Sequence, residues 1–349
     1  MEDQSEHSQS EHLRRIGGAP RGSNRGRVIT ALRRHGALPR VELARTTGLS
    51  FPAISAITSK LMAEELLCEA EMDLAPSLRD VADEDAEAGD APEAEGGRDT
   101  GRRRGRPAVL LTLNPAFGRV IAVSLRMNLI ETLIADFSGA GLAQTRRVLA
   151  TRALDAVALC TVVINEINAM LDATATPRDR LLGIGIALQG IVNADTGRHS
   201  WSPALSVTDV DVAEPVREAF GVDVVMANDA AAVAFALTTA EPALAHGLSA
   251  TIMVGHGVGM GVVRDGEARL GDGGVGSEIG HVKLAPDGPQ CRCGQRGCIE
   301  AYLADYALYR DARTFLDLPP AASQQPTESQ MALLRQRTRD GDPRLAQLF

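Results

Sequence analysis

The sequence predicts an α/β protein in which a small helical module precedes a larger domain of alternating strands and helices. Three short segments with helical spacing of apolar residues lie between residues 23 and 63. From Arg119 onward, apolar runs typical of strands alternate with helical patterns. The 349 residues exceed what one compact core usually holds. We therefore expect at least two domains, covering residues 23–113 and 114–349.

Composition and the distribution of apolar residues favour a globular protein without a signal peptide or a membrane-spanning segment. Hydrophobic residues make up 44% of the chain and charged residues 23%, which is ordinary for a globular protein. The polar first fifteen residues lack the apolar segment of a signal peptide, and no uninterrupted apolar run is long enough to span a membrane. We expect a cytoplasmic protein.

The N-terminal module should contain a helix-turn-helix. Residues 1–22 show no apolar periodicity and are predicted to be a disordered tail. A first helix begins at Asn24, a second follows Pro39 and ends at Gly48, and Ser50 caps a third. We expect the buried face of the third helix to carry Ile54, Ile57 and Leu61.

Charge within this module indicates DNA binding, although the whole chain has a net charge of -9. Residues 13–60 contain ten basic side chains against one acidic side chain. The third helix would be the recognition helix, and small residues on it permit close approach to a groove. Helical modules that bind no DNA also exist. The residues predicted to contact DNA from this helix are Ser50, Phe51, Ser55, Ser59 and Lys60.

Two charged segments follow the helices. Residues 71–100 form an acidic low-complexity stretch that is predicted to be a disordered insertion. Residues 102–107, with the sequence RRRGRP, form a basic segment that could supply further DNA contacts through Arg104 and Arg106. The alternative is a solvated basic linker that balances the acidic stretch.

A candidate metal site lies near the C-terminal end. One histidine and three cysteines fall within eighteen positions, with glycines that allow the loop to fold back. Four such ligands suit a closed tetrahedral zinc site with a structural role. The alternative is three reduced surface cysteines beside an unrelated histidine. The four predicted ligands are His281, Cys291, Cys293 and Cys298.

The stretch GSEIGHVKLAPDGPQCRCGQRGCIE, residues 276–300, resembles the signature of the ROK family of repressors, open reading frames and sugar kinases. The resemblance extends over about residues 24–310, and it includes the glycine-rich segment 255–261 and the N-terminal helix-turn-helix of the repressor branch. It implies a two-lobed, actin-like sugar-kinase fold after a winged helix-turn-helix. The Gly-Arg-Pro of segment 102–107 resembles the minor-groove hook of the family's repressors.

The resemblance also implies a sugar site and one structural zinc ion bound by the histidine and the three cysteines. Carboxylates and amides on converging loops can pair with vicinal hydroxyls, which both donate and accept hydrogen bonds. Each residue alone could instead be a turn residue or a helix cap. The positions that match the family's sugar ligands are Asn228, Asp229, Glu278, His281 and Glu300.

The phosphate-binding turn of the family's enzymes is degenerate here. Ser124–Asn128 stand in place of an Asp-x-Gly-Gly-Thr turn, so the metal-facing carboxylate and both glycines are absent. In the second phosphate turn His256 replaces a threonine, and Gln189 replaces a proline in the sugar-side loop. The chain also ends at Phe349, before the final helices expected of the family, and could therefore be truncated.

These observations predict a sugar-responsive transcriptional regulator, most simply a repressor, with no catalytic residues. It would bind a double-stranded operator as a homodimer or higher oligomer and take a small sugar as effector. One alternative is an active ATP-dependent kinase of the hexokinase type fused to a DNA-binding module. Another is a regulator that has lost its sugar response. The sequence identifies neither the sugar nor the operator.

Overall fold

The computed structural model describes residues 23–70, 109–320 and 325–345. The predicted tail, the acidic insertion and the basic segment with Arg104 and Arg106 lie outside the described residues. The chain divides into two compact units, which are Met1–Arg119 with Ala135–Gly141, and Val120–Ile134 with Leu142–Phe349. The α/β class expected from the sequence is confirmed.

The described part of the first unit contains three α-helices. They are α1 (Asn24–His35), α2 (Arg40–Thr47) and α3 (Phe51–Ala63). Gly48 ends α2 in the left-handed conformation, with φ 64°, which glycine adopts without steric cost. Ser50 occupies the N-cap position of α3, as predicted, but its side chain makes no capping hydrogen bond.

The buried face of α3 differs by one residue from the prediction. Ile54, Thr58 and Leu61 are buried, whereas Ile57 is half-buried. Positions 57 and 58 both lie on the side of the helix that carries 54 and 61, so the spacing alone does not decide which of the two is buried. The hydroxyl of Thr58 is satisfied there because it donates to the carbonyl oxygen of Ile54 at 2.8 Å.

A three-stranded sheet completes the described part of the first unit, in the order β1-β3-β2. Its strands are β1 (Leu38–Pro39), β2 (Leu67–Glu69) and β3 (Leu110–Leu113), and β3 pairs antiparallel with both neighbours. Three helices with such a sheet are typical of a winged helix-turn-helix. The acidic and basic segments both belong to the connection between β2 and β3.

The second unit is organised around a five-stranded sheet in the order β11-β7-β4-β5-β6. The apolar runs at residues 120–125, 129–137, 181–188 and 222–227 predict four of these strands, whereas β6 was missed because it is exposed along almost its whole length. Helices α4 (Ala156–Ala173) and α5 (Ala213–Phe220) pack against one face of the sheet. The strands are β4 (Arg119–Arg126), β5 (Leu129–Asp136), β6 (Gly141–Val148), β7 (Leu181–Leu188) and β11 (Asp223–Asn228).

Helix α4 is, within the described part of the chain, the one helix long and apolar enough to cross a membrane by length and composition. It has 18 residues and a mean hydropathy of 1.5. Its Leu159, Val163 and Ile167 side chains are buried in the core formed with the sheet. A core helix of a folded domain passes the same test, so α4 alone is weak evidence for a membrane span.

Two smaller antiparallel sheets flank the site described below. The first contains β8 (Ile191–Asn193), β9 (Arg198–Trp201) and β10 (Val210–Asp211), which the sequence did not predict. The second is a three-stranded meander, whereas residues 250–270, with the dipeptide Asp265-Gly266, predict one hairpin. Asp265 and Gly266, both with positive φ, form its second turn. Its strands are β12 (Leu248–Val254), β13 (Val258–Arg264) and β14 (Glu267–Arg269).

Four further α-helices lie in the described part of the second unit. Helix α6 follows β11 directly, and α7 follows the candidate metal loop directly. Helices α8 and α9 form a small separate apolar cluster around Tyr309 and Leu334. The bounds are α6 (Asp229–Ala240), α7 (Glu300–Leu303), α8 (Asp305–Ala312) and α9 (Glu328–Arg339).

Candidate functional site

Three neighbouring strands of the central sheet end at the candidate site. Strands β11 and β7 are parallel, and the amide of Gln189 after β7 donates to the carbonyl of Leu125 in β4 at 3.4 Å. Arg126, Gln189 and Asn228 therefore lie at one edge of the sheet. The carboxyl ends of strands in α/β sheets are common positions for ligand sites because the following loops converge there.

Asn228 joins two parts of this edge. Its side-chain oxygen accepts hydrogen bonds from the amides of Ala230 and Ala231 and so caps α6. Its side-chain nitrogen donates to the carbonyl of Gly190 at 2.8 Å. The capping role that the sequence left open for Asp229 is thus performed by Asn228. The carboxylate of Asp229, the first residue of α6, accepts one backbone amide.

These loops enclose a cavity of about 260 Å³, close to the lower end of the size range of ligand pockets. All five residues that match the family's sugar ligands line it, although they come from three separate segments of the chain. The single tryptophan of the chain, Trp201, lies at its wall with Gly190. The five are Asn228, Asp229, Glu278, His281 and Glu300.

Three carboxylates converge on the cavity. Burial raises the pKa of Asp229 above its ordinary value. Burial also raises the pKa of Glu278, and the nearby charges of Glu300 and Asp229 act in the same direction, while His281 opposes them. Such groups accept hydrogen bonds from sugar hydroxyls, which would replace the water that burial removes.

The glycine-rich turn before β13 packs closely against one of these carboxylates. A Cβ atom on Gly257 would lie 2.9 Å from Oε2 of Glu300, too close for any other residue without a shift. The amide of Val258 donates to the same oxygen at 3.3 Å. Glycine at position 257 thus allows Glu300 to reach the cavity wall from the start of α7.

The predicted metal ligands come together at one side of this cavity. The ligand atoms of His281, Cys291, Cys293 and Cys298 all lie within 4.8 Å of one another. Cys291 Sγ lies 3.7 Å from His281 Nδ1, and Cys293 Sγ lies 3.7 Å from Cys298 Sγ. Two thiolates on a tetrahedral zinc ion, with Zn–S bonds of about 2.3 Å, are separated by about 3.8 Å. The donor set and its spacing therefore fit zinc, and the cluster could hold a metal ion.

A lysine stands beside the sulfur cluster. Lys283 Nζ donates to Cys298 Sγ at 3.2 Å. Burial raises the pKa of the Cys298 thiol, but the hydrogen bonds from Lys283 and the neighbouring thiols outweigh it, so the pKa lies below its ordinary value. Metal-binding cysteines are thiolates, and an adjacent ammonium group favours that form.

His281 connects the metal cluster to the cavity. Its Nδ1 atom faces Cys291, while its Nε2 atom lies 3.8 Å from Oε2 of Glu278. The thiol of Cys291 also donates to Oε1 of Glu300 at 3.6 Å. Occupation of the metal cluster would therefore influence the orientation of two cavity residues.

The segment Ser124–Asn128, which the resemblance sets in place of the enzymes' phosphate turn, lies at a hairpin. Met127 and Asn128 form the turn between β4 and β5, and Asn128 has φ 59°. Arg126 lines the cavity, and its guanidinium group pairs with Glu131. A bulky cation thus lines the cavity at position 126, where the resemblance implies a glycine in an enzyme.

Arg292 and Trp201 line the cavity and were not predicted from the sequence. Arg292 stands between two candidate metal ligands, and this position could have indicated that it lies near the site. Nothing in the sequence around Trp201 distinguishes it from a core residue. It reaches the cavity because β9, a strand that was not predicted, ends there.

On the first unit, the predicted DNA contacts of α3 face solvent to different degrees. Phe51, a large apolar residue, is 52% exposed. Ser50, Ser59 and Lys60 are exposed, and Ser55 is half-buried. Four of the five are thus exposed, and they offer a mostly polar surface with one aromatic ring.

Comparisons with known proteins agree with this fold. The sequence profile of the ROK family matches residues 134–348. The xylose repressor of Bacillus subtilis is 23% identical over 291 residues, which cover 83% of this chain and 68% of that protein. A glucokinase of Streptomyces coelicolor is 30% identical over 159 residues, 44% of this chain and 50% of that protein.

Among solved structures, a ROK family transcriptional regulator described as a homologue of the Escherichia coli MLC protein superposes with a TM-score of 0.63. It is 24% identical to this chain, and the superposition covers 87% of this chain and 70% of that one. This similarity shows the shared fold.

Proposed function

The chain belongs to the ROK family, and on this premise we propose that it is a sugar-responsive DNA-binding transcriptional regulator that acts as a repressor. One observation carries the proposal: a cavity lined by five polar residues coexists with a degenerate phosphate turn in the same chain as a helix-turn-helix. The name of the xylose repressor supports both the regulatory role and a sugar as effector. The decisive experiment is a titration of operator binding with sugars.

The proposed sugar contacts follow from the cavity. Asp229, Glu278 and Glu300 accept hydrogen bonds from hydroxyl groups, and Asn228 holds the loop after β11 in place. His281 presents Nε2 beside Glu278. A wrong epimer would leave at least one of these buried groups unpaired, which disfavours its binding.

The proposed cofactor is one structural zinc ion held by His281, Cys291, Cys293 and Cys298. When bound, zinc would cross-link the loop before α7 and supply no chemistry of its own. The loop itself then fixes Glu300 and His281 at the cavity. Lys283 offsets the excess negative charge of three thiolates.

We expect no sugar phosphorylation. Asp229 is placed where a kinase would need a general base, but no carboxylate stands at position 124, and Arg126 fills the phosphate turn. A coupled assay for ADP with a panel of hexoses should show no sugar-dependent signal above the blank. Sugar-dependent ADP formation that Asp229→Ala abolishes would establish the kinase alternative instead.

DNA binding should depend on the exposed cation of α3. Lys60→Ala should weaken binding to all duplexes alike and reduce the slope of log affinity against log salt concentration by about 1, because one phosphate contact is lost. The measurement is fluorescence anisotropy on duplexes that the protein selects from random DNA. Arg264→Ala, which removes an exposed arginine of the second unit, is the control and should change neither quantity. An unchanged salt slope in Lys60→Ala would contradict this assignment.

The proposed assembly on DNA is a homodimer on an inverted repeat. Its half-sites would lie about one helical turn, roughly 34 Å, apart. Arg104 and Arg106 are proposed to add contacts in the adjacent minor groove.

A further inference from the structure

Two arginines line the same cavity as the five polar residues. Arg126 is the last residue of β4, and Arg292 stands between Cys291 and Cys293 in the metal loop. Neither belongs to the sugar site that the family resemblance implies. A neutral sugar carries no charge that a guanidinium group would complement, whereas guanidinium groups are well suited to oxyanions.

The charge of Arg126 is only partly balanced. Its guanidinium group pairs with Glu131, but Nε of Arg146 also lies 3.8 Å from Oε1 of the same carboxylate. Two guanidinium groups therefore share one negative charge. The Nε atom of Arg126 is moreover buried and has no hydrogen-bond partner among the described residues. A buried donor without a partner costs free energy, which an acceptor within its reach would recover.

Arg292 is held in a fixed orientation beside the glycine-rich turn. Its guanidinium carbon lies 3.9 Å from the centroid of the Tyr306 ring, and Nη1 donates to the carbonyl of His256 at 3.4 Å. Stacking on an aromatic ring reduces the conformational entropy that a flexible arginine loses when it binds an anion.

His256 is a third residue of this cavity, and its backbone carbonyl accepts the hydrogen bond from Arg292. Burial lowers the pKa of His256, Asp305 acts in the opposite direction, and the positive charges of Arg126 and Arg292 lower it further. All three side chains line the cavity. The carboxylates Asp229, Glu278 and Glu300 line the same cavity, so that acceptors for hydroxyl groups and donors for an oxyanion are both present.

We propose that Arg126, His256 and Arg292 form an oxyanion subsite, and that the effector is a sugar carrying a phosphate or carboxylate group. The proposal rests on the proposed function and narrows its ligand class. The sugar ring contacts the carboxylates, and the oxyanion contacts the two guanidinium groups. Arg126 thus serves ligand recognition at the position where an enzyme would bind the phosphates of its nucleotide.

The test compares neutral and anionic forms of the same sugars on the full chain. Glucose, mannose and N-acetylglucosamine are titrated beside their 6-phosphates, glucuronate and inorganic phosphate, with Trp201 fluorescence and thermal shift as readouts. At least one anionic sugar should bind ten times more tightly than its neutral parent. Its phosphate or carboxylate then identifies the oxyanion.

Arginine variants test which side chains cause the preference for the anionic sugar. Arg126→Gln and Arg292→Gln should each weaken binding of the anionic sugar by about 10- to 100-fold, the usual effect of a charged hydrogen bond, and change binding of its neutral parent by less than about threefold. Arg146→Gln is the matched control, since it removes the other arginine on Glu131 but does not belong to the described cavity lining. The Arg146→Gln variant should still bind the anionic sugar more tightly than its neutral parent. Zinc content is measured in every variant to verify that the metal loop is intact.

Contrary outcomes separate the two proposals. Equal affinity for neutral and anionic sugars, or a preference that survives in both arginine variants, would overturn the subsite and leave the sugar effector in place. If inorganic phosphate binds as tightly as the sugar phosphates, the sugar ring contributes nothing to binding, and the claim that a sugar carries the oxyanion is overturned. Failure of every sugar to bind would overturn the effector proposal itself, and the subsite with it.

Discussion

Cys293→Ser should abolish stoichiometric metal binding and unfold the loop between His281 and α7. Zinc contributes about 10 to 16 kcal/mol to the folding of small structural sites, and loss of one of four ligands removes a large part of this free energy. Cys298, which is fully buried, and Cys291 would then lie in the interior without a metal to bind. The measurements are elemental analysis of freshly reduced protein and the thermal midpoint.

The same variant should also lose sugar affinity, because His281 and Glu300 contact both the metal cluster and the cavity. Cys68→Ser provides the control, since this half-buried cysteine lies on β2 of the first unit and is remote in sequence from the cluster. It should retain zinc and the wild-type midpoint. Purified wild-type protein that contains no zinc, or a Cys293→Ser protein that retains it, would refute the structural metal site.

Asp229→Asn and Glu278→Gln should each reduce sugar affinity by about one to two orders of magnitude. A hydrogen bond to a charged group contributes about 1.5 to 3 kcal/mol, and 1.4 kcal/mol corresponds to a factor of ten. Both substitutions keep the size of the side chain, so the fold and the operator affinity without sugar should stay nearly unchanged. The measurements are calorimetric titration and the thermal midpoint.

Weaker sugar binding should also change how the sugar regulates operator binding, because the two binding equilibria are thermodynamically linked. Sugar can change operator affinity only if it binds the DNA-competent and DNA-incompetent states unequally. Glu278→Gln should therefore shift the operator response to a sugar concentration one to two orders of magnitude higher. Glu267→Gln, an exposed glutamate on β14, is the control and should respond as the wild type does. An operator response that is equal in wild type and Glu278→Gln, or absent from both, would contradict the effector site.

Several features were accessible from the sequence because they depend on local patterns. The spacing of Val28, Ile29 and Leu32 predicts α1, and Gly48 marks the end of α2 through its left-handed backbone conformation. The spacing from Cys291 to Cys298 predicts a metal loop, since ligands a few residues apart can reach one ion without help from the rest of the fold.

The tertiary structure decided which distant residues meet. Arg126 and Arg292 are 166 positions apart, and only the sheet order β11-β7-β4 and the fold of the metal loop bring both to one cavity. It also decided that Asn228 caps α6 while the carboxylate of Asp229 lines the cavity. The sequence thus determined the helical module and the ligand types of the site. Their arrangement depends on strand pairing and packing between residues that lie far apart in the chain. Local periodicity carries no information about such contacts, because it reflects only neighbours within one helix or strand.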